Sequence, residues 1–111
     1  YSAADVDAAC KLLANAGLRP QVMVDVSHAN SSKQHQKQIE VSADVATQVA
    51  GGDRRIIGLM IESNQEEGRQ DIVPGQALKM GVSVTDACIS LGQTRPVLEG
   101  LSKAVRVRRS A

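Results

Sequence analysis

The stretch QVMVDVSHANSSK, which runs from Gln21 to Lys33, decides how this chain is interpreted. Its apolar part, Val22 to Val26, has the β-branched content of a buried strand. A polar cluster follows it at once, and a helical pattern follows the cluster. In α/β folds, active sites are built from side chains at the C-terminal ends of strands. His28 stands at such an end and is therefore a candidate functional residue.

A second apolar run repeats the design of the first. It extends from Ile56 to Ile61 and ends in Glu62. The intervening sequence predicts a helix from about Ser32 to Ala50. The apolar residues of that helix predict an inner stripe of Ile39, Ala43, Ala46 and Val49. Two parallel strands joined by one helix make a βαβ unit.

The flanking segments predict further helices. Ser2 is placed to cap a first helix that ends near Gly17. Residues 63–83 form a long irregular segment, and such loops are usually functional or mobile. Thr85 is predicted to cap a short helix that carries Asp86 and is interrupted at Gly92.

A final helix is predicted with Pro96 in its first turn. Its apolar stripe is predicted to be Leu98, Leu101 and Val105. Its end is basic, with Arg106, Arg108 and Arg109. The simplest interpretation is a solvated helix end whose positive charges interact favourably with the helix dipole.

These elements predict an incomplete α/β domain. A βαβ unit cannot close a barrel, and a two-stranded parallel sheet would be poorly covered by itself. A complete TIM barrel needs on the order of 250 residues, whereas this chain has 111 and lacks an initiating Met. We therefore expect residues 1–111 to be the C-terminal portion of one (β/α)8 barrel domain, with about two strands and three helices.

Composition excludes several classes of function. A formal net charge of +1 and a single aromatic residue, Tyr1, argue against a nucleic-acid surface. No apolar run reaches membrane-spanning length, and no signal-peptide pattern opens the chain. The two cysteines, Cys10 and Cys88, show no metal-binding spacing. A reducing cytoplasm fits this cysteine usage best.

His28, Glu62 and Asp86 are the candidate site residues. The first two end neighbouring parallel strands, and Asp86 follows the long loop, from which it can fold back over the same rim. One histidine with two carboxylates suits a divalent ion such as Mn, Fe, Co or Zn. The separations of 34 and 24 residues match no compact metal motif. An ordinary hydrogen-bonded role for His28, and a helix-capping role for Asp86, stay open at this point.

Other chemistries have less support in the sequence. Gly51-Gly52 precedes a strand rather than a helix, so it is no phosphate loop, and no GxSxG elbow is present. His35 stands among Gln and Lys on the predicted second helix, where a solvated histidine is expected.

Three segments resemble one enzyme family. They are VMVDVSHANSSKQHQKQ (22–38), AGGDRRIIGLMIESNQEEGRQ (50–70) and GVSVTDACI (81–89). Together they look like the C-terminal part of class I 3-deoxy-D-arabino-heptulosonate 7-phosphate (DAHP) synthase, the first enzyme of the shikimate pathway. The motifs are long, contiguous and in the same order, and the resemblance extends over nearly the whole chain.

The resemblance implies a (β/α)8 barrel and a divalent-metal site with four protein ligands. Three of the ligands correspond to His28, Glu62 and Asp86. The fourth is a cysteine on the first barrel strand, which has no counterpart in this sequence, and neither Cys10 nor Cys88 stands at a matching position.

The implied reaction condenses phosphoenolpyruvate with erythrose 4-phosphate and releases phosphate. His28 and Lys33 are the residues to which the resemblance assigns a catalytic part. Lys33 and Arg69 are the cations expected near the rim, while most phosphate-binding residues of the family lie upstream. The resemblance also implies a homo-oligomer.

Two alternatives accompany this interpretation. Under the synthase interpretation, the chain by itself is expected to be inactive. The first alternative is a non-catalytic α/β module that retains metal or partner binding. The related eight-carbon sugar-acid synthase, which uses arabinose 5-phosphate, is disfavoured by the SHANSSK and TDAC motifs.

Overall fold

A computed structural model describes residues 1–111. Three α-helices, one short 3₁₀ helix and two small parallel sheets follow one another along the chain. In order they are α1 (Ala3–Asn15), β1 (Val22–Asp25), the 3₁₀ helix (His28–Ser31), α2 (Lys37–Ala50), β2 (Ile56–Met60), β3 (Ser63–Asn64), β4 (Ile89–Ser90) and α3 (Leu91–Ser110).

The first helix forms as the sequence predicts. Ser2 accepts a hydrogen bond from the Asp5 backbone N–H, and the Asp5 carboxylate accepts one from the Ser2 N–H, which completes a capping box. Val6 and Cys10 form its buried face. Gly17 follows with a φ of 73°, a left-handed conformation that ends helices at little cost for glycine.

The predicted βαβ unit is the centre of the fold. β1 and β2 pair in parallel, with Val24 opposite Leu59 and Asp25 opposite Met60, and α2 makes the crossover between them. One hydrophobic core joins both strands to the three helices. Its buried members are Val6, Cys10, Val24, Val26, Val41, Val45, Val49, Ile56 and Ala104. The parallel pairing brings the C-terminal ends of both strands to one rim.

The second helix differs from its prediction in start and in phase. It begins at Lys37, because the chain first makes the 3₁₀ helix and a left-handed turn at Ser32 and Lys33. Of the predicted stripe only Val49 is buried, whereas Ile39 is 37% exposed. The buried face is Gln38, Val41, Ser42, Val45 and Val49. The predicted stripe counted only apolar residues, so it missed the polar Gln38 and Ser42 on the inner face.

The long segment after β2 is ordered by backbone pairing. β3 and β4 form a two-stranded parallel sheet, and Gly68 and Arg69 bridge to Cys88 and Ser83. The predicted helix at Thr85 is wrong, since residues 85–88 are irregular and lead into β4. Gly81 lies in this segment with a φ of 77°, and a Cβ there would stand 2.8 Å from the Gln65 Cβ. Glycine is therefore required at this close approach.

The third helix is longer than predicted. Ser90 and Gln93 form its capping box, so it begins at Leu91 and passes through Gly92 without interruption. Pro96 lies in the second turn, not the first. The buried residues are Thr94, Val97 and Ala104, while the predicted Leu98 is 55% exposed.

The basic end of α3 is only partly a solvated surface. Arg106 and Arg109 are exposed. Arg108, in contrast, donates two hydrogen bonds from Nη1, to the carbonyl oxygens of Asp53 (2.8 Å) and Ile56 (3.0 Å). It therefore anchors the start of β2.

Much apolar surface of the small sheet is uncovered. Met23 on β1 and Ile57 on β2 are 65% and 62% exposed, although both lie in apolar runs that were predicted to be buried strands. No helix in the structure combines the length and apolar character needed to span a bilayer.

Candidate metal centre

His28 stands in a strained turn immediately beyond β1. Its φ is 49°, and Ser32 and Lys33 also have positive φ values, of 53° and 58°. Each such non-glycine conformation costs about 1–3 kcal/mol and is typical of functional sites. The turn is closed by the Lys33 N–H, which donates to the His28 carbonyl oxygen at 2.8 Å. This backbone turns the imidazole over the rim of the sheet.

Asp25 fixes the orientation of the His28 ring. Its Oδ2 lies 2.9 Å from Nδ1 of His28, and its Oδ1 accepts from the Ser27 N–H (2.9 Å) and the Ser27 hydroxyl (2.6 Å). The hydrogen bond to Asp25 raises the pKa of His28, and the nearby charge of Glu62 adds to this effect. Burial alone would raise the pKa of Asp25. The hydrogen bonds from Ser27 and His28 outweigh that effect, so the pKa lies below its usual value. With Nδ1 occupied, Nε2 is the nitrogen that faces the rim.

Glu62 and Asp86 reach the same point from different elements. Glu62 lies two residues beyond the end of β2, and Asp86 lies in the irregular segment that returns to β4. Nε2 of His28 lies 3.9 Å from Oε1 of Glu62 and 3.5 Å from Oδ2 of Asp86. One ligand atom from each of the three residues lies within 4.8 Å of the others. The structure thus brings together the three residues that the sequence singled out.

This donor set fits a divalent metal ion. Ligand atoms bound at about 2.0–2.2 Å lie roughly 3.0–3.5 Å apart around one ion, so the observed separations require only small side-chain adjustments. One imidazole with two carboxylates suits borderline divalent ions. A carboxylate on the outer nitrogen of the histidine, here Asp25, is the usual support of a metal-binding imidazole.

Mostly polar and charged residues surround the three candidate ligands. The cavity is lined by His28, Ser31, Lys33, His35, Gln38, Glu62, Arg69, Asp86 and Ala87. Lys33 and Arg69 both line it, as expected for the rim. The Arg69 guanidinium is held by the Thr85 carbonyl oxygen (2.9 Å) and by Asp71 (2.7 Å).

His35 is not the solvated residue that the sequence suggested. Its side chain is 24% exposed, it lines the cavity, and its Nε2 lies 2.8 Å from Glu67 Oε1. Gln36 donates to the same oxygen at 2.7 Å. These bonds, that of Gln36 foremost, lower the pKa of Glu67. His35 lines the cavity because α2 begins only at Lys37, later than predicted, which leaves residues 34–36 in a turn at the rim.

Both cysteines lie outside the cluster. Cys10 lies on the buried face of α1, in the hydrophobic core. Cys88 is buried beside the site, with its Sγ 3.5 Å from the Asp86 carbonyl oxygen, and burial raises the pKa of its thiol.

Two site residues escaped sequence reasoning. Asp25 offered a signal, since it is the single charged residue in the run Val22 to Val26. Gln38 offered none, because it reads as one more polar residue in a Gln- and Lys-rich segment.

Comparison with known proteins gives a consistent result. The profile of the DAHP synthetase I family matches residues 1–99. The phospho-2-dehydro-3-deoxyheptonate aldolase of Haemophilus influenzae is 50% identical over 111 residues, which are 100% of this chain and 31% of that protein. The tyrosine-inhibited enzyme of that name from Schizosaccharomyces pombe is 52% identical over 98% of this chain and 30% of its own length.

A solved structure matches in three dimensions as well. That of phospho-2-dehydro-3-deoxyheptonate aldolase from Francisella tularensis superposes with a TM-score of 0.91 at 44% identity. The match covers 96% of this chain and 31% of that one. The chain thus spans about a third of the length of the relatives it matches. The profile match and these identities together show that the chain belongs to the DAHP synthetase I family.

Proposed function

We propose that this chain supplies one wall of a DAHP synthase active site, at which His28, Glu62 and Asp86 hold a divalent metal ion. The observation that carries the proposal is the convergence of these three side chains at the rim, in a chain whose relatives are named as this enzyme. The reaction joins C3 of phosphoenolpyruvate to the aldehyde carbon of erythrose 4-phosphate, while water adds at C2 and phosphate leaves.

The chain's own residues have separate parts in this proposal. His28, Glu62 and Asp86 would hold a divalent ion (Mn, Fe, Co or Zn), which would supply Lewis-acid polarisation of the aldehyde oxygen. Asp25 keeps Nδ1 of His28 occupied, so that Nε2 alone is directed at the ion. Lys33 and Arg69 stand on the cavity wall, where their charges can bind the phosphate groups of the substrates.

We further propose that residues 1–111 are the C-terminal portion of a (β/α)8 barrel. The parallel β1–β2 pair with its α2 crossover is the repeating unit of such a barrel. The exposed Met23 and Ile57 on the two strands are the faces that further barrel elements would cover. The chain covers 31% of the length of the Haemophilus influenzae relative, which supports a portion of a barrel rather than a whole one. Self-association into a homo-oligomer belongs to this proposal.

A cytoplasmic location is part of the proposal. Phosphorylated substrates carry charges that do not cross membranes unaided. The two cysteines are free and buried, which fits a reducing compartment.

Phosphate release from phosphoenolpyruvate and erythrose 4-phosphate tests the proposal. We expect turnover from the full-length protein that contains this chain and none from the purified 111 residues, because the remaining wall of the site is missing. As a control, adding the 111-residue chain to the active full-length enzyme should leave its rate unchanged, which excludes a contaminating inhibitor. Turnover by the 111 residues alone would refute the fragment interpretation, and an inactive full-length protein would refute the activity.

A further inference from the structure

Gln38 is the most deeply buried polar side chain beside the candidate metal centre. It lies in the first turn of α2 and is 0% exposed. Burial of an amide is unfavourable unless each of its polar groups is hydrogen-bonded. A glutamine at this position therefore requires specific partners.

Both ends of the Gln38 amide bind the backbone of one residue, Glu62. Its Oε1 accepts from the Glu62 N–H at 2.8 Å, and its Nε2 donates to the Glu62 carbonyl oxygen at 3.1 Å. The pairing of β1 with β2 ends two residues earlier, at Met60. Gln38 thus provides the backbone partners that the sheet no longer offers.

The Glu62 carbonyl oxygen also binds the segment that carries Asp86 and leads into β4. It accepts a second hydrogen bond from the Ile89 N–H, at 3.1 Å. Ile89 begins β4 three residues after Asp86. Helix α2, the end of β2 and the segment that carries Asp86 consequently meet at one backbone position.

We propose that Gln38 is a positioning residue of the metal centre: it holds the Glu62 backbone so that the Glu62 and Asp86 carboxylates face His28. The inference rests on the proposed function, since it assigns a role toward the same ion. The competing explanation is a purely structural one, in which Gln38 stabilises the fold and has no influence on the ion.

Arg108 provides a matched control for that explanation. Its guanidinium also makes two hydrogen bonds to the backbone around β2, at Asp53 and Ile56, but at the opposite end of the strand. Removing either side chain should lower the thermal stability. Only removal of Gln38 should disturb the rim.

The experiment compares Gln38→Met, Arg108→Met and His28→Ala in the full-length protein. Co²⁺ affinity is measured by competition with a chelator, the Co²⁺ absorption spectrum reports coordination, and thermal unfolding is recorded without metal. For Gln38→Met we expect Co²⁺ binding about 10-fold weaker or more, the size typical of supporting residues around metal ligands, with an altered spectrum. Arg108→Met should keep the wild-type affinity and spectrum.

Each outcome is decisive. Wild-type affinity and spectrum in Gln38→Met, alongside lost binding in His28→Ala, would overturn the positioning role and leave the metal site standing. Equal Co²⁺ binding by wild type and His28→Ala would instead overturn the proposed site. If Gln38→Met does not fold, Gln38→Glu takes its place, because it retains the acceptor for the Glu62 N–H but loses the donor to the Glu62 carbonyl oxygen. Unchanged Co²⁺ affinity in Gln38→Glu would then contradict the proposal.

Discussion

Asp25 determines which nitrogen of His28 is available for binding. Its carboxylate is fixed by two hydrogen bonds from Ser27 and by its position at the end of β1, so it presents Oδ2 to Nδ1 at 2.9 Å. Asn30 donates to the Asp25 carbonyl oxygen at 2.7 Å and closes the same turn. The strained backbone at His28 is thus stabilised by a compact set of hydrogen bonds.

Replacement of Asp25 by alanine should weaken metal binding. Without the carboxylate the imidazole can rotate or exchange tautomers, and loss of such a support typically lowers metal affinity about 10-fold to 100-fold. A metal titration of the full-length protein measures the effect. Asp44→Ala is the control, because Asp44 is exposed on α2 and its side chain accepts a hydrogen bond from Gln48, away from the rim. Equal affinities in Asp25→Ala and Asp44→Ala would contradict this role.

Sequence reasoning identified some of these residues and not others for physical reasons. His28 and Glu62 were predictable because the C-terminal ends of neighbouring parallel strands meet at one edge. Asp86 lies near both of them, as predicted, but its predicted helical setting was wrong, since the path of residues 63–88 depends on backbone pairing between distant positions. The ligand roles of all three stay predictions.

Among the secondary-structure elements, β2 is held in place at its N-terminal end by charged side chains. The Asp53 carboxylate accepts from Arg55 Nη2 (3.0 Å) and Nε (3.1 Å), and Arg55 Nη1 donates to Asp7 on α1 at 3.0 Å. These bonds from Arg55 lower the pKa of Asp53 despite its partial burial. The network ties α1 to the start of β2.

The lowered pKa predicts a pH-dependent contribution to stability. The unfolded carboxyl titrates near about 3.9, and the folded pKa is lower, so folding favours the ionised form. The contribution is fully present above the unfolded pKa and is lost as pH falls through it toward the folded value. In the full-length protein, the difference in Tm between wild type and Asp53→Asn should be largest near neutral pH and shrink below about pH 4. A difference that grows on acidification would contradict the assignment.

Helix boundaries were the least predictable feature of the elements. The existence of α1, α2 and α3 followed from apolar spacing and capping residues. The phase of α2 did not, because Gln38 and Ser42 occupy inner positions and are 0% and 2% exposed. The start of α3 was missed because Gly92 suggested a break, whereas the Ser90–Gln93 capping box outweighs one glycine.

At the scale of the whole molecule, the fold is a βαβ unit with open sides. Only 18 of 111 residues are buried. Large apolar side chains such as Met23, Ile57 and Leu98 are exposed instead. The number of strands in the sequence predicted that a two-stranded sheet would be poorly covered. It could not predict which faces are left open, because that depends on the helix phases described above.

We propose that His28, Glu62 and Asp86 together hold a divalent ion in a DAHP synthase site. The most direct test is the metal content and synthase turnover of full-length wild type and His28→Ala after exhaustive dialysis, measured by elemental analysis and phosphate release. We predict that wild type retains a divalent metal and turns over, and that His28→Ala loses both. Normal metal content together with normal turnover in His28→Ala would contradict the assignment of His28 as a metal ligand.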